Sequence, residues 1–442
     1  MNKKVVGAVL SLILLSLVAG YALAQLPSQT AEIPEGTQPS TNSITIFDDD
    51  SYIYAKNDSG EIVYNSTGFS TIVQLAINAL VEGGNIYINA GTYVLSNTIY
   101  LNRSYVQIHG AGTYATWIEL DDNVDETMIV IGHPAEHLMF NGLFDLSLHG
   151  NKHNQTNGNG IRITGYRVSD LSLERIICMS NKANSLLIQS QNGAVDGSGA
   201  RIWNVWILDS LFEYADASGI NIDANINRGP ITQVWIQNCY LLKNKGYGLV
   251  VQGGDDDYVR YLEVSNVHVR GNGDGGIRIR PASYVTISNP HVADNIGEGI
   301  HISGVANFSS NSIQIIGGCS RNVDTADQTY GITVPENADN YTIIGVDVSE
   351  NSFESISIGA GSDIIVDDNL GYVTENIGSD IIRDSTTVTF KHGLSATPTH
   401  VEVGWNDLSY GTWKWSATSK EITITVTHKG TYNFSWRAEF KP

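Results

Sequence analysis

A block of sequence that repeats between Gly219 and Ser303 constrains the fold of this chain more than any other feature. Each copy contains three short runs in which apolar and polar residues alternate, and glycine or asparagine separates the runs. The first runs of successive copies read GINID, GLVVQ, GIRIR and GIHIS. Because such a short unit cannot bury its apolar residues alone, it must stack on its neighbours, and the repeat predicts a solenoid.

The residue that ends the middle run of each copy gives the spacing of the repeat. It recurs at intervals of 23 to 34 residues, which indicates a short basic turn of the coil with loops inserted at its corners. Strands one turn apart would then pair in parallel at about 4.8 Å. These corner residues are Asp145, Arg175, Asp209, Asn238, Asn266, Asn289, Gly317, Gly345 and Asp368.

The alternating apolar residues of the first runs predict the core of the solenoid. At period two they would point inward and stack in columns, and β-branched and aliphatic side chains suit such a buried pleated surface. Asparagine at a corner tolerates a left-handed backbone and can bond to the neighbouring turn. An antiparallel sandwich of repetitive strands is the alternative. The predicted inward residues are Ile220, Ile222, Leu249, Val251, Ile277, Ile279, Ile300 and Ile302.

Composition and the first residues predict a secreted, β-rich protein. The 442 residues include 44 glycines, and a formal net charge of −21 argues against a nucleic-acid partner. Residues 1–24 have the basic start, apolar run and small-residue end of a signal peptide, after whose removal we expect no membrane contact. An uncleaved membrane anchor is the alternative. Residues 25–45 are rich in proline, serine and threonine, which predicts a flexible linker.

The segment before the repeats predicts a helix from Ser70 to Leu80 that covers the open first turn of the coil. This helix, TIVQLAINALVEGG, is followed by NIYINAGTYVLSNTIYL, VQIHGAG and LFDLSLHGNKHNQ. In this combination the chain resembles the pectate-lyase-like superfamily of single-stranded right-handed β-helix proteins, in the branch with polysaccharide lyases, glycosidases and phage tailspikes. The resemblance runs from about Phe69 to Gly378. It implies a substrate groove along the first strands, and its tailspike-like members imply that a trimer is an option.

The predicted fold is therefore all-β. A right-handed parallel β-helix with an N-terminal capping helix covers residues 46–380, and a small antiparallel β-sandwich covers residues 384–442. The C-terminal module contains longer strands that suit hairpins, and it holds four of the eight tryptophans. Two of them, Trp413 and Trp415, alternate on one strand and could stack on sugars, although packing in the sandwich core would also explain them.

The outward residues of the first strands predict a binding site between Asn221 and His301. Residues at equivalent positions of successive turns form a column, and the charge of this column is concentrated there. Long loops at one edge of a rigid scaffold are typical of binding sites, and a polar groove with aromatic residues at its rim suits an extended polysaccharide. The predicted substrate-binding residues are Asn221, Gln252, Tyr214, Asp216, Arg228, Tyr258, Trp413 and Trp415.

A polysaccharide lyase is the favoured reaction. It needs a base that removes the proton next to a uronate carboxylate and a cation that neutralises this carboxylate. His301 could be the base, and Arg278 and Arg280 offer bidentate grips for the carboxylate. Two arginines and a histidine outnumber the obvious acid pairs in the column. The predicted catalytic residues are Asp223, Arg278, Arg280 and His301.

Carboxylates in the same region leave two further options for chemistry. Asp223 could hold Ca²⁺ together with the acidic run Asp255, Asp256 and Asp257. A glycoside hydrolase instead needs two carboxylates, about 5 Å apart for retention and about 6.5–9.5 Å apart for inversion. Asp223 could pair with an acid of the 255–257 run, or with Asp216.

Non-catalytic interpretations also stay open. Arg278, Arg280, Asp223 and Glu298 could form a solvated ladder of opposite charges, and the 255–257 run could be a solvated loop. The chain would then be an extracellular surface or fibre-like module, with the coil as a rigid spacer and the C-terminal module as the binder.

Overall fold

The computed structural model describes residues 42–191, 199–224, 229–253, 259–304, 310–325, 327–334, 338–359, 364–406 and 410–441. From residue 84 to residue 367 the chain winds as a parallel β-helix, as the repeat predicts. Its turns build a parallel sheet of ten described strands, here called sheet 1, and a second sheet of 21 described strands, here called sheet 2. None of the helices in the described ranges has the length and apolar character to cross a membrane.

Short strands that alternate buried and outward residues build sheet 1. They are Ile99–Leu101, Ile129–Ile131, Ile161–Ile163, Leu186–Gln189, Ile220–Ala224, Tyr247–Gly253, Gly275–Arg280, Gly297–Ile302, Gln328–Val334 and Glu354–Ile358.

Sheet 2 covers the rest of the coil, and its first three strands pair antiparallel with one another before the parallel winding begins. They are Ser43–Asp48, Ile53–Asn57 and Ile62–Ser66. The others are Gly84–Ile88, Gly91–Leu95, Val106–Gly110, Thr116–Leu120, His137–His149, Arg167–Met179, Arg201–Leu208, Leu211–Glu213, Ile231–Gln237, Tyr240–Leu242, Val259–Ser265, His268–Arg270, Ser283–Ser288, His291–Ala293, Ser310–Ile316, Cys319–Arg321, Ala338–Ile344 and Ile364–Asp367. A 3₁₀ helix spans Lys152–Asn154.

The strand register confirms the predicted core. Ile222 lies opposite Val251, Val251 opposite Ile279, and Ile279 opposite Ile302 on successive parallel strands. All eight predicted inward residues are fully buried. Since the strands of this region pair in parallel, the antiparallel alternative does not apply here.

Left-handed backbone at the corners turns the coil. All nine predicted corner residues have positive φ values, between 48° and 69°. In many turns, further left-handed residues lie five positions away, as with Gln233 and Lys243 on either side of Asn238. The predicted side-chain bonds also form: the Asn238 amide donates to Asp209 at 3.0 Å, and the Asn266 amide donates to Asn238 at 3.3 Å. Asparagine and aspartate tolerate this conformation better than most residues, which explains their recurrence.

A ladder of buried amides supports the corner that leads into sheet 1. The Asn244 amide donates to Asn272 at 3.0 Å, and the Asn272 amide donates to Asn295 at 2.9 Å. Asn272 and Asn295 are fully buried. Each ladder amide also donates to a backbone carbonyl, so the ladder satisfies polar groups that this tight turn would otherwise leave unpaired.

The capping helix spans Phe69–Ala79 and buries Ile72, Val73 and Ile77 against the first strands. Its start differs from the prediction. Gly68 is the N-cap and makes no side-chain cap bond, whereas Ser70 is a buried residue of the first turn. Burial of its apolar face therefore stabilises this helix more than capping does.

The C-terminal strands form an antiparallel β-sandwich from two long bent strands and two short ones. The register of the long strands shifts between Ile382 and Thr387, so each long strand contributes to two layers. Phe390 of one layer packs against Trp436 of the other, with ring centroids 4.9 Å apart. The strands are Glu375–Lys391, His400–Trp405, Trp413–Ala417 and Glu421–Glu439, and the first of them crosses the predicted boundary at residues 380–384.

Candidate functional site

Sheet 1 aligns the predicted outward residues in columns. Asp223 lies opposite Gln252, and Gln252 opposite Arg280. Two turns therefore separate Asp223 from Arg280, which corresponds to about 10 Å. The second column runs through Asn221, Val250, Arg278, His301 and Thr333.

A third column of sheet 1 was not predicted and contributes aromatic and acidic side chains. Tyr247 lies opposite Gly275, and then Glu298 and Tyr330 follow on the next strands. Both tyrosines directly precede a glycine within a strand of sheet 1, in YGLVV and YGITV. This Tyr-Gly pair is the sequence signal that could have identified them.

An open groove of about 710 Å³ brings three of the four predicted catalytic residues together. Asp223 is not among the residues that line it. The groove therefore contains the arginines and the histidine of the later turns. The polar side chains of the earlier turns, Asp223 among them, lie outside its lining. Its charged and aromatic lining consists of Arg278, Arg280, Glu298, His301 and Tyr330.

His301 has the environment of a neutral base. Its Nδ1 lies 2.7 Å from the Thr333 hydroxyl oxygen and 3.8 Å from a Glu298 carboxylate oxygen. Burial lowers the pKa of His301, Glu298 opposes this shift, and the charges of Arg278 and Arg280 add to it. With Nδ1–H assigned as the donor to Thr333, Nε2 carries the lone pair.

The two arginines supply positive charge on this wall. The Arg278 guanidinium lies over the Tyr247 ring, 5.5 Å from its centroid, while Arg280 is exposed. Among the described side chains, neither arginine forms an ion pair with a carboxylate. Gln252 separates Asp223 from Arg280, so these two opposite charges do not face each other on adjacent strands.

The earlier turns carry a hydrogen-bonded polar network. Arg162 donates to the side-chain amide oxygen of Gln189 at 2.8 Å, and the Gln189 side-chain nitrogen donates to Asp223 at 2.6 Å. The Gln252 amide donates to Asn221 at 3.3 Å. Asp223, Asn221 and Gln252 therefore lie on the predicted wall, in a separate group from His301.

Tyr214 and Asp216 lie at the corner before sheet 1, outside the groove lining. Burial favours a higher pKa for Asp216, but Lys245, Lys152 and Lys182 outweigh it, and the pKa is lowered. An ionised carboxylate in three ion pairs is unsuited to donate a proton, so the geometry disfavours Asp216 as the acid of a hydrolase.

The remaining predicted residues divide into two groups. Trp413 and Trp415 are partly buried and pack against the hydrophobic core of the C-terminal sandwich, which agrees with the packing alternative. Of the predicted Ca²⁺ set only Asp223 is described, and the described residues contain no group of three histidine, cysteine or acidic side chains that could hold a metal. Arg228, Tyr258, Asp255, Asp256 and Asp257 lie outside the described residues.

Comparisons with known proteins bear on the fold. No family model matches the chain, and no curated protein matches it. Among solved structures, ORF18 of Geobacillus virus E2 is similar over 82% of this chain and 73% of its own, with 15% identity and a TM-score of 0.60. Tailspike protein 2 of Escherichia coli O157:H7 bacteriophage CAB120 is similar over 92% of this chain and 72% of its own, with 12% identity and a TM-score of 0.53. These similarities confirm the predicted right-handed parallel β-helix fold, which the chain shares with these two phage proteins.

Proposed function

We propose that this chain cleaves an extracellular acidic polysaccharide by β-elimination in the groove of sheet 1. The observation that carries the proposal is the position of a half-buried histidine beside two arginines on adjacent strands. The lowered pKa of His301 keeps the ring neutral and able to accept a proton near neutral pH. Secretion through the predicted signal peptide would bring the chain to such a substrate.

Each group has one role in the proposed reaction. Arg278 and Arg280 bind the uronate carboxylate and stabilise the charge that develops on it when the neighbouring carbon loses its proton. His301 takes that proton at Nε2, while Glu298 and Thr333 hold Nδ1. The electron pair of the broken C–H bond forms a carbon–carbon double bond. The bond to the glycosidic oxygen then breaks, and this oxygen takes a proton from solvent.

The described carboxylates support hydrolysis less well. Three turns separate Glu298 from Asp223, so the two carboxylates are at least about 14 Å apart, which exceeds the separation that either class of glycosidase uses. Three of the four residues in the predicted Ca²⁺ set lie outside the described residues, so the Ca²⁺ interpretation stays a prediction. The proposed steps use described side chains only.

A screen of acidic and neutral polysaccharides tests the proposal. Ultraviolet absorbance reports unsaturated uronates, and a reducing-end assay reports every chain break. We expect both signals to rise together on an acidic polysaccharide. Reducing ends without absorbance would indicate hydrolysis, and neither signal on a broad panel would contradict an enzymatic role and favour the spacer interpretation.

A further inference from the structure

Four lysines gather at one corner of the coil, directly before sheet 1. They are Lys152, Lys182, Lys243 and Lys245, and the sequence from residue 42 to residue 374 contains only one other lysine, Lys56. The chain has a net charge of −21, so this concentration of positive charge departs from its overall character. We call these four residues the corner cluster.

Three ammonium groups of the corner cluster share a single carboxylate. The Lys245 Nζ lies 2.8 Å from Asp216 Oδ1, and the Lys152 Nζ lies 3.3 Å from the same oxygen. The Lys182 Nζ lies 3.4 Å from Asp216 Oδ2. The side chains of Lys152 and Asp216 are each 15% exposed, so the centre of the cluster is largely removed from water.

The fourth lysine joins the cluster through an aromatic ring. The Lys243 Nζ lies 3.2 Å from the Tyr214 hydroxyl oxygen and 5.4 Å from the centroid of its ring. Glu213 is the other carboxylate beside Lys243, and burial raises the pKa of Glu213. Among the described side chains, these four lysines thus face two carboxylates, which leaves an excess of at least two positive charges.

One lysine would suffice to balance Asp216, and each added ammonium group repels the others. Such an arrangement is unfavourable for the isolated fold but suits a site that receives further negative charge from a ligand. The excess of positive charge is also confined to a few turns of the coil. The turn before the cluster carries Asp122, which accepts from Asn151 at 2.8 Å, and the turn after it carries Asp274.

The corner cluster lies on the turns of the coil that precede those lining the groove. Backbone bonds stack its corner turns: Lys152 donates to Ser180, and Lys245 donates to Ala215, both at 2.9 Å. The strand Tyr247–Gly253 begins two residues after Lys245, and the next strand of sheet 1 carries Arg278. A glycan that runs from this corner onto sheet 1 would pass Tyr247, whose ring lies under the Arg278 guanidinium, before it reaches the groove.

We propose that the corner cluster binds carboxylate or sulfate groups of an acidic glycan whose neighbouring segment occupies the groove. The inference rests on the proposed function in that both assume an acidic glycan, but it concerns binding rather than cleavage. The excess charge would hold the chain in place and favour substrates with negative groups on successive sugars.

Calorimetric binding tests this inference in a His301→Ala background, where the ligand stays intact. The probes are a hexamer of galacturonate, a sulfated chondroitin hexamer and neutral maltohexaose. The double variant Lys182→Gln and Lys245→Gln is compared with Lys391→Gln and Lys420→Gln, which remove the same charge from exposed sites of the C-terminal module. We expect the Lys182→Gln and Lys245→Gln double variant to bind one of the two acidic hexamers about tenfold more weakly, while the control double variant keeps its affinity.

The outcomes separate this inference from the proposed function. Equal affinity of both double variants for both acidic hexamers would overturn the inference, even if the wild type cleaves polysaccharide. Weaker binding in the first variant would support it, even if no cleavage occurs. Asp216→Asn removes the competing carboxylate, so we expect it to bind the acidic hexamer more tightly while melting at a lower temperature. A lower melting temperature with unchanged affinity would show that the cluster only joins the turns.

Discussion

Replacing Asn272 by alanine would remove one step of the buried amide ladder. The side-chain oxygen of Asn272 accepts two hydrogen bonds from Asn244, one from the backbone nitrogen and one from the side-chain nitrogen, both at 3.0 Å. Its amide donates to the Leu241 carbonyl at 3.0 Å and to Asn295 at 2.9 Å. Alanine would remove all four bonds and would leave four polar atoms of the neighbouring residues without them in a fully buried environment.

The expected cost follows from these bonds. A net contribution of about 1 kcal/mol for each bond gives a loss of about 4 kcal/mol in the free energy of unfolding. Asn266→Gly is the matched control, because Asn266 is exposed and its φ of 52° is readily adopted by glycine. The control should lose at most about 1 kcal/mol.

Urea unfolding followed by tryptophan fluorescence measures both variants. The midpoint of Asn272→Ala should fall well below that of the wild type, while Asn266→Gly stays close to it. If the two variants unfold at the same urea concentration, the ladder bonds do not stabilise the coil and the reasoning is refuted.

Three further predictions concern pH and packing. Because His301 acts as a base only when neutral and its pKa is lowered, the acid limb of the kcat/KM profile should have its midpoint below pH 6.5; a midpoint above that value would exclude His301 as the base. Ile279→Ala opens a cavity in the stacked core and should cost about 2–5 kcal/mol in chemical denaturation, whereas the exposed Ile316→Ala should cost far less. Burial favours a higher pKa for Asp294, but three backbone amides and Arg270 outweigh this effect and lower the pKa. The ionised carboxylate therefore stabilises the fold above pH 3.8, its ordinary pKa, and this stabilisation is lost as the pH falls through the lowered pKa. Asp294→Asn should therefore flatten the acid limb of a melting-temperature profile, and an unchanged limb would contradict this.

The periodic part of the structure could be predicted because the solenoid repeats a local rule. The inward columns follow from the period of two, and the left-handed corners follow from the residue types found there. Arg278 and His301 could be placed on one wall because the distance between them equals one short turn. Counting residues was sufficient wherever no loop intervened.

Features that depend on several corners at once could not be predicted in this way. Lys152 and Lys245 are 93 residues apart, and loops of different length separate the turns between them. Asn272 looks like any turn asparagine in the sequence, and only packing shows that it is buried. The predicted helix start at Ser70 was wrong because apolar burial, rather than a side-chain bond, determines where that helix begins.

The most direct test of the account compares turnover and stability in one variant. Arg280→Ala removes an exposed guanidinium from the groove, and Arg260→Ala removes an exposed one from sheet 2. On a polysaccharide that the wild type cleaves, we expect Arg280→Ala to lose about hundredfold or more in kcat/KM with little change in melting temperature, and Arg260→Ala to remain active. Full turnover in Arg280→Ala would contradict the proposed site.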